Sequence, residues 1–205
     1  MKKLALIILC IVIAAAFGGC EKVNNNAYEM MTDAAINGNY ADALEYYNKG
    51  GAASGKTDTT DWYFYSMAMN DYAVNGCLGY PYSLLNNKCS DSFSYADKRA
   101  AEIKTHTDKF EGTYKCGMMY LYIQNGIVAV NNGAHLTGTV YCTDELAVKD
   151  GKYYWATHSA DGEDIFRYEL ILTDNGITVT PVTDTDNMFA GEYVTDYFET
   201  PVLTY

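Results

Sequence analysis

The sequence lacks the motifs that mark most enzymes and metalloproteins. It contains no G-x-S-x-G nucleophile elbow, no glycine-rich phosphate loop and no H-E-x-x-H pair. Its three histidines, His106, His135 and His158, are scattered, and none stands beside a cysteine. The sequence therefore predicts no catalytic residues, no metal site and no cofactor, and it favours a protein that is not an enzyme.

Basic residues are also few. The chain has 14 lysines and arginines against 26 aspartates and glutamates, which gives a formal net charge of −12. A surface of this charge repels phosphate backbones and anionic lipid headgroups. We therefore expect no nucleic-acid partner, and attachment to a membrane cannot depend on surface charge.

Long apolar runs are absent except at the very start. Lys2 and Lys3 precede 14 apolar residues at 4–17, and Gly18-Gly19-Cys20 follow. A basic start, a short apolar core and small residues before a cut are typical of a secretory signal. An uncleaved membrane anchor is disfavoured, because a spanning helix needs about 20 apolar residues.

The end of this signal resembles the lipobox of bacterial lipoproteins, in which the cysteine after the cut carries the lipid. The resemblance implies a signal peptide at 1–19 and lipid attachment at Cys20, with ordinary secretion as the alternative. Two or three acyl chains hold a protein stably on a membrane. The prediction is therefore an extracytoplasmic, membrane-anchored lipoprotein at the cell surface or on the periplasmic face. Its mature chain has 186 residues and a net charge of −14, because Lys2 and Lys3 are removed.

Four cysteines remain in the body of the chain: Cys77, Cys89, Cys116 and Cys142. An even number outside the cytosol favours disulfides, and proximity in sequence favours the pairs 77–89 and 116–142. Free buried thiols are the main alternative. A zinc site is disfavoured because the sequence contains no C-x-x-C spacing.

The first half of the mature chain is predicted to be helical. Residues 20–26 are polar and are predicted to form a lipidated tether, and 27–108 are predicted to hold four or five helices. Within 38–47, the small residue Ala43 and the aromatic Tyr47 fit an A-x-x-x-[FY] element. This stretch resembles the turn and second helix of a tetratricopeptide repeat, which implies one helical hairpin that packs on its neighbours.

The second half, 109–205, is predicted to be an antiparallel β-meander that closes as a small barrel or sandwich. Apolar residues alternate along short runs, and four dipeptides favoured in tight hairpins separate them: Asn125-Gly126, Asp150-Gly151, Asp161-Gly162 and Asn175-Gly176. The fold class is therefore α+β.

The same F-x-G-x-Y pattern occurs at both ends of this meander, in 110–114 and 189–193. It predicts an aromatic plug at each place where a barrel closes, meaning a Phe and a Tyr side chain that fill the barrel on either side of a glycine. The pattern faintly resembles the G-x-W segment that begins lipocalin-like barrels, with tyrosine in place of tryptophan.

Tyrosine is abundant, with 20 of 205 residues. Packing in a β-rich fold explains this composition, while a sugar- or peptide-binding aromatic face is the sharper hypothesis. Its candidates are Trp62, Tyr63 and Tyr65 in the first half, and Tyr153 and Trp155 in the second. Tyr154 would face the opposite side of its strand.

The sequence thus predicts a non-enzymatic binding or interaction module at the cell envelope, with a protein or a glycan as partner. A carrier of a small apolar ligand in the barrel interior is the alternative. An extracytoplasmic enzyme without a recognisable motif is the third hypothesis.

Overall fold

The structure is a computed structural model that describes residues 22–158, 164–183, 188–197 and 200–205. The predicted signal peptide, Cys20 and the Asp161-Gly162 dipeptide lie outside these residues. Helices come first and a closed antiparallel barrel follows, which confirms the predicted α+β fold. Among the described residues, no helix combines the length and hydrophobicity needed to cross a bilayer.

Five helices precede the barrel. They are α1 (22–36), α2 (Tyr40–Lys49), α3 (Thr59–Asn75), α4 (Gly79–Asn87) and α5 (Ser94–Thr107), with a 3-10 turn at Gly51–Ala53. The chain divides into two compact units, Met1–Met67 and Ala68–Tyr205, and the division falls inside α3. The second unit therefore holds α4, α5 and the whole barrel.

In the first unit, α1 and α2 are joined by a tight turn at Gly38. The φ angle of Gly38 is +82°, and its N–H and that of Asn39 donate to the carbonyls of Ala35 and Ala34. Glycine ends helices in this way because it adopts a left-handed backbone without a steric penalty. Ala43, in the segment that resembles a tetratricopeptide repeat, is fully buried.

Residues 22–26, which belong to the predicted tether at 20–26, are helical and form the first part of α1. The Asn24 side-chain amide donates to the carbonyl of Ala53 at 3.3 Å, and Ala27 is buried. These contacts within the first unit stabilise a polar first turn that has little helical pattern of its own.

Helix α4 begins at Gly79-Tyr80-Pro81, residue types that commonly interrupt helices. These residues instead form the first turn of α4. Proline is tolerated there because the first-turn N–H groups have no partner within the helix. The apolar face that α4 buries includes Pro81, Leu84 and Leu85.

Eight strands close the barrel in the order β1-β2-β3-β5-β6-β7-β8-β9, and two short strands, β4 and β10, pair in parallel outside it. The strands are β1 (Gly112–Cys116), β2 (Met119–Gln124), β3 (Ile127–Asn132), β4 (Thr139–Tyr141), β5 (Asp144–Lys149), β6 (Lys152–His158), β7 (Asp164–Thr173), β8 (Gly176–Pro181), β9 (Gly191–Asp196) and β10 (Val202–Thr204).

Large side chains fill the barrel interior. Cross-strand neighbours share a face, and buried residues pair across five ladders: Tyr114 with Leu121, Leu146 with Trp155, Trp155 with Tyr168, Leu170 with Val179, and Ile177 with Tyr193. The Phe189 ring stacks on Trp155 at 5.2 Å between centroids. The interior is a packed core along these strands.

The two F-x-G-x-Y segments begin β1 and β9, the strands whose antiparallel pairing closes the barrel. In each segment the tyrosine hydroxyl donates to the phenylalanine carbonyl four residues earlier, Tyr114 to Phe110 at 2.9 Å and Tyr193 to Phe189 at 3.1 Å. Because β1 and β9 run in opposite directions, one aromatic plug lies at each end of the barrel.

Two of the predicted hairpin turns have the expected backbone. Asn125-Gly126 and Asp150-Gly151 both have positive φ values at both positions. The prediction of a turn at Asn175-Gly176 is wrong by one residue, because Thr173 pairs with Gly176 and the turn is 174–175. Gly176 serves close packing instead, since a Cβ there would lie 1.9 Å from the carbonyl oxygen of Tyr193.

Two additions cover the outer face of the barrel. The short segment 76–79 lies along β5, where Val148 N–H donates to the Gly76 carbonyl and Leu78 N–H to the Leu146 carbonyl. The β4–β10 pair packs on the outside of β2 and β3, where Leu203 contacts the cluster around Tyr122. Outward residues of β2, β3 and β5 are therefore buried as well.

Candidate functional site

None of the four body cysteines, all of which the structure describes, forms a disulfide, so the predicted pairs 77–89 and 116–142 are wrong. Helix α4 separates Cys77 from Cys89, and a nine-residue helix is about 13 Å long, beyond the reach of a disulfide. Cys116 Sγ lies against Gly191 of β9, whereas Cys142 packs in the cluster outside β2 and β3. Burial, followed by the charge of Asp144, raises the pKa of Cys142 to about 11, which favours an inert thiol.

The residues predicted to form an aromatic face mostly belong to the core. Trp62, Tyr65 and Trp155 are 5%, 3% and 1% exposed, which leaves them almost no surface for a ligand. Tyr63 is half-buried, and its ring stacks on Tyr47 at 4.3 Å between centroids. In the described structure these side chains pack against protein instead of presenting a common face.

Tyr153, the remaining candidate, is half-buried and is held by polar contacts from α5 and the residues after it. Lys109 Nζ donates to its hydroxyl at 2.9 Å, and the same hydroxyl lies 2.9 Å from His106 Nδ1. Because Lys109 can only donate, the tyrosine proton is left to donate to a neutral His106. Burial, followed by the positive charge of Lys109, lowers the pKa of His106, which agrees with the neutral form.

A second polar cluster lies beneath the first turn of α4 and was missed in the sequence. Glu145, on the outer face of β5, is 0% exposed, and its Oε2 accepts the Tyr80 N–H at 2.9 Å. A carboxylate at a helix N-terminus is stabilised by the helix dipole and by the free N–H groups there. The sequence signal is weak, because a charged residue in an alternating strand normally faces solvent.

The outer edge of β4 is the most accessible backbone of the small sheet. On the inner edge, Val202 N–H donates to the Gly138 carbonyl and Cys142 N–H to the Thr204 carbonyl. Successive residues of a strand direct their backbone groups to opposite edges. The N–H and C=O groups of Thr139 and Tyr141 therefore face outward, and no described strand pairs with them.

Apart from its short length, this edge lacks the usual protection against strand addition. Proteins blunt exposed edges with charges, prolines or bulges, whereas β4 reads Thr139-Val140-Tyr141. Val140 packs inward, while Tyr141 is 80% exposed. An extended chain could therefore pair with β4 without meeting a charged side chain on it.

A groove of about 370 Å³ lies where β4 and β10 begin. It is lined by 135–138 from the β3–β4 connection and by 200–202 from the segment that leads into β10. His135 lies at its base with its ring edge-on to Tyr120 and Tyr122, and the Tyr122 hydroxyl accepts the Leu136 N–H at 2.8 Å. These contacts fix one wall of the groove on β2.

These features were not foreseen from the sequence, although the strand at 139–142 was predicted. The open edge arises because β4 pairs only with β10, which follows it by about 60 residues and carries no strong pattern of its own. Comparisons with protein-family models, with curated proteins and with solved structures find no match to this chain.

Proposed function

We propose that this protein is a lipid-anchored, extracytoplasmic interaction protein that binds an extended segment of a partner protein along the outer edge of β4. The observation that carries the proposal is this edge, whose outward backbone groups have no described strand partner. Strand addition to an exposed edge is a common mode of peptide recognition, because backbone hydrogen bonds supply affinity and adjacent pockets supply specificity.

The surroundings of β4 fit an extended peptide. Thr139 and Tyr141 supply the outward donors and acceptors, and the Tyr141 ring offers an exposed planar surface. The groove at 135–138 and 200–202 is large enough for one or two side chains of the bound segment. Because β4 is only three residues long, we expect a weak and reversible complex.

The net charge of the protein favours bound segments of one charge type over another. The mature chain has a net charge of −14, so an acidic segment is repelled at long range and a neutral or basic one is favoured. The predicted signal and the lipid predicted at Cys20 favour a position of this surface outside the cytoplasm. The partner is therefore an envelope protein with an exposed neutral or basic segment.

A closed barrel is also compatible with a carrier of an apolar ligand. However, Trp155, Tyr168 and Phe189 contact one another inside the barrel, and a ligand there would have to displace them. The packed barrel interior therefore supports the carrier hypothesis less strongly than the open edge of β4 supports the interaction-protein hypothesis.

The experiment is a selection from a displayed library of unstructured peptides, followed by affinity measurements on two variants. Tyr141→Pro removes the outward N–H and is compatible with an edge strand, because proline is tolerated there. Tyr141→Thr removes the ring but keeps the N–H and a strand-forming residue. We expect Tyr141→Pro to weaken binding at least about tenfold and Tyr141→Thr to weaken it less.

Two results would overturn this proposal. Selected peptides that bind Tyr141→Pro as tightly as the wild type do not use this edge. A glycan array that yields specific ligands, while the peptide library yields none, would identify the partner as a carbohydrate instead.

A further inference from the structure

The cluster beneath α4 also contains a cysteine and a second carboxylate. Asp71 lies on α3, Cys77 in the segment 76–79, and Glu145 on β5. Each offers one oxygen or sulfur atom, and these three atoms lie within 4.8 Å of one another. Cys77 and Glu145 are fully buried. The cluster is independent of the β4 edge.

The backbone fixes Cys77 and Glu145 on the same patch of the barrel. Gly76 ends α3 with a φ of +74°, and a Cβ there would lie 2.1 Å from the carbonyl oxygen of Val148. Cys77 then lies opposite Ala147, two residues beyond Glu145 on β5. Residues two apart on a strand share a face, so Glu145 and Ala147 both lie on the outer face of β5. Cys77, paired with Ala147, lies on this face beside Glu145.

A hydrogen bond from the local structure orients each carboxylate. Glu145 Oε2 accepts the Tyr80 N–H at 2.9 Å, and Asp71 Oδ1 accepts from the Asn75 side-chain amide at 2.8 Å. The other oxygens, Glu145 Oε1 and Asp71 Oδ2, are buried too. Each acid is thereby held in a fixed orientation with a second oxygen inside the protein.

Tyr205 supplies a separate observation at the same place. Its hydroxyl oxygen is buried and makes no hydrogen bond of good geometry with a described residue. A Cβ on Gly79 would lie 2.6 Å from this oxygen, which locates it at the start of α4.

The surroundings of the cluster are apolar, since Cys77 packs with Ala147, Ala156 and Phe166. Acidic groups brought together in such surroundings repel one another and are costly to bury as anions. A divalent cation among them converts this repulsion into coordination. Zinc accepts cysteine sulfur together with carboxylate oxygen, usually from four donors.

We propose that Asp71, Cys77 and Glu145 bind a zinc ion, with the Tyr205 hydroxyl as the fourth donor. The ion joins the end of α3, the start of α4 and strand β5, so its role is to stabilise this junction. Cys77 and Glu145 are fully buried, which favours a structural ion over a catalytic one.

The test uses the mature chain in detergent under reducing conditions, stripped of metal with a chelator and then titrated. Zn²⁺ is measured by elemental analysis, and Co²⁺ serves as an optical probe for a metal–thiolate bond. We expect about one ion per chain, a thiolate-to-cobalt charge-transfer band, and a melting temperature that rises with Zn²⁺. Folded wild-type chain that takes up no stoichiometric ion would overturn the proposal.

Three variants identify the ligands. Cys77→Ser should abolish the cobalt band, whereas the matched control Cys89→Ser, beyond the far end of α4, should keep it. Glu145 also stabilises α4, so Asp71→Asn provides the carboxylate test at a half-buried position. We expect Asp71→Asn to lower metal affinity at least about tenfold. Wild-type cobalt binding by both Cys77→Ser and Asp71→Asn would show that the cluster only caps α4.

Discussion

Polar side chains at several buried and half-buried positions of the barrel have defined hydrogen-bond partners. The hydroxyls of Tyr114 and Tyr193 donate to carbonyls within their own segments. Asp144 accepts from Trp155 Nε1 at 2.7 Å and from Thr157 at 2.8 Å. These contacts explain why so many tyrosines occur in the chain, because a phenol fills apolar volume while its hydroxyl satisfies a backbone carbonyl.

The hydroxyl hydrogen bonds of Tyr114 and Tyr193 predict similar losses of stability when either hydroxyl is removed. Tyr114→Phe leaves the buried Phe110 carbonyl without its donor, and Tyr193→Phe leaves the partly buried Phe189 carbonyl without its donor. Each change should lower the free energy of unfolding by about 1–2 kcal/mol. Urea denaturation measures this. Tyr197→Phe, at a side chain that is 99% exposed, is the control and should change nothing. Equal stabilities for all three variants would contradict the assigned hydrogen bonds.

The contact between Tyr153 and His106 predicts a dependence of stability on pH. The pKa of His106 is lowered in the folded protein by burial and by Lys109, so the unfolded chain binds its proton more readily. The stability that the neutral ring provides is complete above the unfolded pKa of about 6.5 and is lost as the pH falls through the lower folded pKa.

We therefore expect the urea midpoint of the wild type to fall between pH 7 and pH 5 by more than that of His106→Gln. Carboxylates contribute to both curves, so only the difference between the two proteins reports on His106. Parallel curves for the two proteins would show that His106 does not contribute.

At the scale of helices and strands, much of the fold could be predicted because local signals agree with it. Paired turn residues mark the hairpins, and the F-x-G-x-Y segments mark the strands that close the barrel. The missed elements lacked such signals. Strand β5 loses its alternating pattern because 76–79 covers Ala147 on its outer face, and α4 begins with residues that resemble a helix break.

The candidate sites were less predictable for a related reason. They arise from contacts between segments far apart in sequence, such as Cys77 with Ala147 and β4 with β10. The sequence around a buried glutamate such as Glu145 does not differ from the sequence around an exposed one. The disulfide prediction failed because sequence proximity hides the helix between Cys77 and Cys89.

Gly176 allows a test of how β8 and β9 pair. Gly176→Ala places a Cβ 1.9 Å from the backbone oxygen of Tyr193, so the strands must separate. Backbone cannot give way as cheaply as a side chain, and we expect a loss of about 3 kcal/mol or more in urea denaturation. Gly133→Ala is the matched control, with a φ of +88° and open space around it, and should cost only about 1–2 kcal/mol. A smaller loss for Gly176→Ala than for Gly133→Ala would contradict this register.

At the scale of the whole molecule, the acidic charge, the predicted lipid and the open edge are connected. A net charge of −14 for the predicted mature chain disfavours contact with anionic headgroups, so the proposed attachment would depend on the lipid predicted at Cys20. An anchored protein meets its partner repeatedly within a thin layer, which raises the effective concentration. A short edge strand can then support a useful interaction although its intrinsic affinity is low.

The lipid prediction is tested by growing cells with a labelled fatty acid. We expect label in the wild type and in Cys10→Ala, because Cys10 lies within the apolar core of the signal. Cys20→Ala should carry no label, since the lipidated thiol is absent. Label that persists in Cys20→Ala, or that is missing from the wild type, would contradict lipidation at this residue.

The most direct test of the proposed interaction is amide hydrogen exchange at β4, measured with and without a selected peptide. In the free protein the amides of Thr139 and Tyr141 should exchange quickly, while the amide of Cys142, bonded to Thr204, should be protected. On binding, the account predicts that Thr139 and Tyr141 become protected while Cys142 is unchanged. Saturating peptide that leaves both outward amides exchanging at their free rates would contradict it.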